Sequence, residues 1–583
     1  MRSLRTGPTR GLSIQKRPGN RLWEASRLAL SVVLIVISWP GCDVEQETPS
    51  VHVGITLTPA AANVLIGESL QLTATVLNAS DHRVFWALTG AGCAGAACGT
   101  ISDGGLYTAP ASVPSPPFVT IRATAAEDTS KSASATITVV ESADAVEWTW
   151  VSGSSADGEA GIYGMKSQPS STNVPGARRH SVSWLDSNGR FWLFGGDGLD
   201  SAGSAGELND LWRFDPATLE WTWMSGSDLK EYPGIYGTQG ESGPANAPGA
   251  RQWALSWIDT LDNLWLFGGV GYDSTGRYGL LNDLWRFDPI TLEWTWESGS
   301  ENRDASGLYG TKRAADPSNV PGGRQGAVSW MDPLGRFWLF GGSGRDSAGG
   351  IGWLNDLWEY DPTARTWMWV SGSDQVNHKG SYGIQNTPAP ANVPGARAWA
   401  TSWRQAGGHL WIFGGLGYDA AVPGGTLNDL WKFNLATMEW TWVSGSSSNG
   451  EAGRYGTKGT PSPSNVPGVR QHAAAWFDPL GNLLLFGGDG YDSIPCVGQL
   501  NDLWEFDLTI RQWTWVAGRS TLAQRGPGVY GTKGVPDPSN CPGGRYAALY
   551  ESDAQGRFWL FGGAGIDGVG GGGYLNDLWR GRR

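Results

Sequence analysis

The sequence predicts an all-β chain: a six-bladed β-propeller preceded by a smaller β-sandwich. Three observations carry that expectation. The pentapeptide LNDLW occurs six times, at 208–212, 281–285, 354–358, 427–431, 500–504 and 575–579, spaced 73 residues apart four times and then 75. So regular a period marks one supersecondary unit copied along the chain. Gly at 86, Pro at 33 and Trp at 34, with few runs of strong helix formers, favour many short strands and turns. A chain of 583 residues also exceeds what one core can use, so at least two domains are expected.

From the N-terminus, the first 27 residues hold seven Arg or Lys against one Glu, and an apolar run follows from Leu28 to Trp39. The run is short for a membrane span and suits the h-region of a secretory signal occupying 1–41. It ends at Pro40-Gly41-Cys42. A small residue before Cys resembles the cleavage site of bacterial lipoproteins, which would make Cys42 a lipid acceptor and attach the protein to a membrane. Simple secretion stays open beside it, because Trp39 and Pro40 depart from that pattern. Both readings export the protein, to the cell envelope, the outer surface or the medium. Removing the basic segment leaves a remainder more acidic than the whole chain at −13. Such a protein lacks the clustered Lys and Arg that nucleic acid requires. Apart from Cys42, four cysteines remain, Cys93, Cys98, Cys496 and Cys541, enough for two disulfides in an oxidising compartment.

A linker, 42–50, leads into 51–141, where short alternating strands (VHVGITL, SLQLTATV, RVFWAL, FVTIRATA, SASATITVV) are separated by turn-rich breaks. Pro59, IGESLQLTATV, Phe85-Trp86, GLYTAP at 105–110 and the closing SASATITVV resemble the bacterial immunoglobulin-like domains of surface proteins. That resemblance implies a spacer or adhesive stalk. A Cys93–Cys98 bond would staple a local loop and stabilise it little, since so short a loop holds little unfolded-state entropy.

Each repeat unit then reads in one order. PGxR opens a strand ending near a Trp (Arg178 to Trp184). An apolar run ends in FGG, LNDLWxF follows, and WxW closes (Trp221, Trp223). Four short strands make one propeller blade and cannot hide their own faces alone. The glycine doublet, the aromatic in the third strand and the Trp in the fourth resemble the kelch repeat, over 148–579. The kelch period is about 50 residues. The excess lies between WxW and the PGxR arginine, where 27 residues intervene five times and 29 the last time, each with a Tyr-Gly such as Tyr163. Unit six ends at LNDLWRGRR without a WxW, while Trp148-Thr149-Trp150 stands alone before the first PGxR. Donating that strand to the last blade closes a ring over 148–583 and removes the open edges. With strands running outward from the axis, as in kelch propellers, the FGG-to-LND loops and the long segments share one face. Cys496 and Cys541 lie on that face in neighbouring units, and a disulfide between them is expected.

Function is sought where the copies differ. Regular Trp reads as core between blades rather than a sugar-stacking surface. The aspartates of GGxGxD (Asp200, Asp273, Asp346, Asp419, Asp492, Asp567) and of LND lack the density of a calcium loop, and turn capping or pairing with the PGxR arginines explains them better. The informative column lies two residues after the PGxR arginine: His180, Trp253, Gly326, Trp399, His472 and Ala547. It sets His180 and His472 against Trp253 and Trp399 across the channel mouth, which makes those four the candidate ligand site. Kelch propellers include galactose-oxidase-like copper enzymes, but two His in non-adjacent blades are too few for a metal site, so no metal or cofactor is expected and no catalytic residue is assigned. The expected role is binding of a glycan or a protein by a monomer. The alternatives are a carbohydrate-active enzyme of the galactose-oxidase or sialic-acid-epimerase type, and a structural envelope module.

Overall fold

The computed structural model describes residues 52–583 apart from 68, 91–92, 113, 115–117, 141–145, 404–407, 422–423 and 522–525. The signal segment, Cys42 and the linker therefore lie outside the described residues. The first unit holds a four-stranded sheet in which Ala61–Leu65 pairs parallel with Ser132–Val140, followed by Phe118–Ala125 and Val84–Thr89. Two smaller sheets complete it, one pairing Gly54–Thr58 with Thr73–Leu77. Alternation along Phe118–Ala125 buries Val119, Ile121 and Ala123 against Ile137, Val139 and Tyr107. Cys93 and Cys98 are joined by a disulfide. Among the described residues, no helix is long and apolar enough to cross a membrane.

The described residues of 147–582 form six antiparallel, blade-like sheets, one per LNDLW. In the first, Phe191–Leu199 lies beside Ala205–Asp215, which lies beside Glu220–Ser225. The N-terminal strand Glu147–Ser152 pairs with the C-terminal strand Gly572–Arg582, Trp150 opposite Trp579. The innermost strand departs from expectation. It is two pieces, Arg178–Arg179 and Val182–Leu185, both paired with Phe191–Leu199 and broken at His180, whose φ is 57°. The glycine doublet has a local cause. Gly195 and Gly196 take φ of 62° and 99°. A Cβ on Gly195 would also lie 2.9 Å from the Arg251 carbonyl of the next unit.

Side chains between neighbouring sheets form the core. Trp184, Trp192 and Phe194 pack with Leu264, Trp285, Phe287 and Trp294 of the following unit. The Trp184 indole donates to the Trp257 carbonyl at 2.8 Å, and Trp257 to Trp330 at 2.8 Å. The regular tryptophans are thus structural. So is much of each long segment, which leaves one sheet and covers the outer edge of the next. Ser167 donates to the Trp223 carbonyl at 2.8 Å, Gly240 to Trp296 at 2.7 Å and Gly534 to Trp150 at 2.7 Å. These bonds satisfy an edge that would otherwise recruit another chain. The segments also meet the FGG-to-LND loops, as where the Ser201 N–H donates to the Asp228 carbonyl at 2.9 Å, so both lie on one face.

Candidate functional site

The repeated polar residues are architecture, and removing them isolates the site. Asp210 of the first LND accepts from Arg178 Nη1 and Nη2 at 2.7 Å each, from Tyr163 at 2.6 Å and from Trp212 Nε1 at 2.7 Å. All six LND aspartates pair with their PGxR arginines in this buried way. The Tyr-Gly of each long segment supplies the phenol, which burial, and then Asp210, push well above its ordinary pKa at Tyr163. The GGxGxD aspartates cap turns: Asp200 Oδ1 accepts from the Ala202 and Ser204 N–H groups at 2.9 and 2.8 Å. Among the described residues, no three His, Cys, Asp or Glu side chains are grouped to hold a metal ion.

The variable column lies on the axis. His180, Trp253, Gly326, Trp399, His472 and Ala547 all have φ between 55° and 62°. Each N–H donates to the carbonyl of the preceding member, and His180 donates to Ala547, closing a ring of six bonds of 2.7–3.2 Å. This explains the broken inner strand, since the left-handed residue turns its N–H away from its own sheet toward the neighbouring unit. The four sequence-chosen side chains do come together. Ring centroids are 4.4 Å apart for His180 and Trp253, 5.9 Å for Trp253 and Trp399, 5.6 Å for Trp399 and His472, and 5.1 Å for His472 and His180. They form a packed plug rather than an open mouth. A Cβ on Gly326 would lie 2.3 Å from Trp399 Nε1, so the asymmetry of the column is at least partly a packing solution. Burial, then Arg179, pull the His472 pKa down to about 3. Burial, then His472 and Arg179, hold His180 well below its ordinary value. Both imidazoles are therefore neutral.

Beyond the plug, on the long-segment face, a cavity of about 770 Å³ opens over units five, six and one. Arg179, Asp489, Gln499, Tyr546 and Tyr574 line it, with Cys496 at its margin. On the other side of the plug the axis holds about 150 Å³ among small residues such as Ser181, Ser256 and Ser329. Gly572 and Gly573 of unit six line the larger space. Three residues before LND, units two, three and five carry Tyr278, Ile351 and Val497, whereas unit six has Gly572, as unit four has Gly424. A Cβ there would meet only Ile566 Cδ1, at 4.0 Å.

Arg179 is held rigidly at the cavity wall. Its Nε and Nη2 donate to Asp197 at 3.1 and 3.0 Å, and its Nη1 donates to the Tyr546 hydroxyl at 2.6 Å. The guanidinium lies 5.0 Å from the Tyr574 ring centre, and the Tyr574 hydroxyl donates to Asp197 at 2.8 Å. Burial, then Asp197, push the Tyr574 phenol to about 12. Asp489 accepts from Gln471 Nε2 at 3.2 Å, and burial raises its carboxyl. The expected Cys496–Cys541 disulfide is corrected by the structure, in which both are free thiols. Cys496 is exposed at the cavity margin, while Cys541 replaces the recurring valine in a bridge to Val529 and donates to the Pro542 carbonyl at 3.3 Å.

No family model and no curated protein match the chain. Similar solved structures include YjhT, 15% identical with a TM-score of 0.41, covering 70% of this chain and 95% of that one. A Bacteroides thetaiotaomicron protein of unknown function is 9% identical with a TM-score of 0.42, over 92% of this chain and 98% of its own. A polysaccharide lyase of family PL25, ulvan lyase, is 10% identical with a TM-score of 0.33, over 70% of this chain and 86% of its own.

Proposed function

We propose that the chain is an exported kelch-type six-bladed propeller on an immunoglobulin-like stalk, and that it binds a glycan in the cavity at one end of its axis. Six sheets, six ring bonds and the pairing of first and last strands support the closed ring. The disulfide in the stalk supports export, and Cys42 would carry the lipid where the protein is anchored. The observation that carries the function is the composition of the cavity. Its volume suits a small ligand. Tyr546 and Tyr574 offer aromatic faces to the C–H side of a sugar, and Arg179, Asp489 and Gln499 offer planar groups able to bond paired hydroxyls. A rigid wall of this kind lowers the ordering cost of binding.

Gly572→Tyr tests the reading on a glycan array. Unit two carries Tyr278 at the corresponding position, so the fold accepts the side chain while the cavity fills. The array signal should disappear with the thermal midpoint unchanged. Signals that survive in Gly572→Tyr, or an array on which the natural protein binds nothing, would overturn it.

A further inference from the structure

The repeat supplies an internal control for one polar pair on the cavity wall. In unit one, Arg179 and Asp197 stand opposite each other on adjacent strands and are joined by two bonds. In unit five the same two positions hold Gln471 and Asp489. The pair is kept, but its cation is replaced by a neutral amide giving one bond of 3.2 Å. The other four units avoid the problem, with Val270, Ser343, Leu416 and Ala564 at the aspartate position. Asp489 is thus an acid without a cationic partner among the described residues.

Among the described residues, nothing else on the wall supplies that charge. Of the ionisable residues lining the cavity, Arg179 is matched by Asp197, and Tyr546, Tyr574 and Cys496 bring no positive charge. Burial raises the Asp489 carboxyl, and only the Gln471 bond opposes it. A partly desolvated carboxylate without a cation is costly, and a ligand that brings one recovers that cost. Beside it, directly across the strand pair, Gln499 has a buried Oε1 with no partner among the described residues. A carboxylate with one neutral donor and an amide oxygen with none, side by side, call for a group that is all donor, as an ammonium is.

We infer that Asp489 and Gln499 form an ammonium subsite, so that the cavity takes a saccharide carrying a free primary amine. This rests on the cavity being a glycan site, and it goes further by naming the ligand's charge. The N-acetylated form of the same sugar carries neither the charge nor the three donors, and the subsite discriminates against it.

Calorimetric titration with glucosamine hexamer and N-acetylglucosamine hexamer tests this on the full chain. The natural protein should bind the free amine about tenfold more tightly, the equivalent of one strong interaction. Asp489→Asn and Gln471→Arg should each bring the two hexamers within about twofold of each other. The second variant rebuilds the Arg179–Asp197 pair of unit one, so its folding has a precedent within the chain. Equal affinities in the natural protein, or a preference that survives in both variants, overturn the subsite. Binding of the acetylated hexamer alone, lost in Gly572→Tyr, overturns the subsite while leaving the glycan reading intact. Binding of neither hexamer counts against both. Asp489-dependent capture of polylysine without hexamer binding overturns the saccharide and keeps only the charge.

Discussion

Replacing Asp356 by Asn keeps the shape of one buried node and removes its charge. Four donors converge on the two oxygens of Asp356: Arg324 Nη1 and Nη2 at 2.8 Å each, Tyr309 at 2.6 Å and Trp358 Nε1 at 2.7 Å. Asn offers one oxygen and an NH₂ that faces donors. At least one donor then loses its acceptor, and the Arg324 guanidinium stays buried without a counterion. Breaking a buried pair from one side costs about 3–5 kcal/mol. Tyr309→Phe removes a single bond to a charged group, about 1.5–3 kcal/mol. The double mutant should cost less than the two together, because the Asn has already altered the phenol's acceptor. Thermal shifts will understate these effects. Residues 147–582 make an array of roughly 430 residues with a midpoint entropy near 0.9 kcal/mol/K, so 4 kcal/mol moves Tm only about 4 °C. Urea unfolding followed by tryptophan fluorescence resolves the difference directly. A loss under about 1 kcal/mol for Asp356→Asn, or a larger loss for Tyr309→Phe, would refute the node as a mutually satisfied charged unit.

Acid should loosen the axis. The folded pKa of His472 is about 3 and that of His180 is also depressed, whereas an unfolded imidazole titrates near 6.5. The unfolded chain therefore binds more protons below about pH 6.5, and stability present above that value is lost toward pH 3, by up to about 1.4 kcal/mol per pH unit for each histidine. His472→Ala, which copies Ala547 of unit six, should flatten the urea midpoint's fall between pH 7 and 5; identical slopes in both proteins would contradict the assignment. The two cysteines of the repeat array should label separately. Iodoacetamide should modify exposed Cys496 in the native protein and Cys541 only after unfolding, because burial raises that thiol. A disulfide-linked peptide joining them in a non-reduced digest would reverse this.

The repeat was legible because its signals are local and redundant. FGG, LNDLW and WxW recur with positions that identify each strand, and a strand left over at one end matched one missing at the other, as Trp150 opposite Trp579 shows. The Arg–Asp pairing was also readable, since a buried arginine needs an acid and LND supplies one per unit. The cavity was not. The column two residues after the PGxR arginine stands out for its variation, on the expectation that a single inner strand runs from PGxR to the Trp. The strand breaks instead at that residue, in a left-handed conformation uncommon for any residue but glycine, and especially for a bulky one such as Trp. The break turns the chosen side chains into the axial plug and leaves the preceding residue, Arg179 or Tyr546, at the cavity. The glycine run at 570–573 was a further signal, but its meaning depends on what the other five units put at the same register.

That dependence suggests how such repeats should be read. A position identical in every copy reports the scaffold, and a position that varies alone reports little, because its neighbours can absorb the change. Gly326 beside Trp399 shows this, with the loss of one side chain making room for another. The stronger signal is a pair that varies incompletely. Unit one keeps both members, Arg179 and Asp197, and the units with an apolar or hydroxyl residue at the aspartate position have no charge to balance. Unit five alone keeps the acid and loses the base, at the wall of the cavity over units five, six and one. Packing does not require an unbalanced carboxyl there, since four other units do without one. A ligand of opposite charge does.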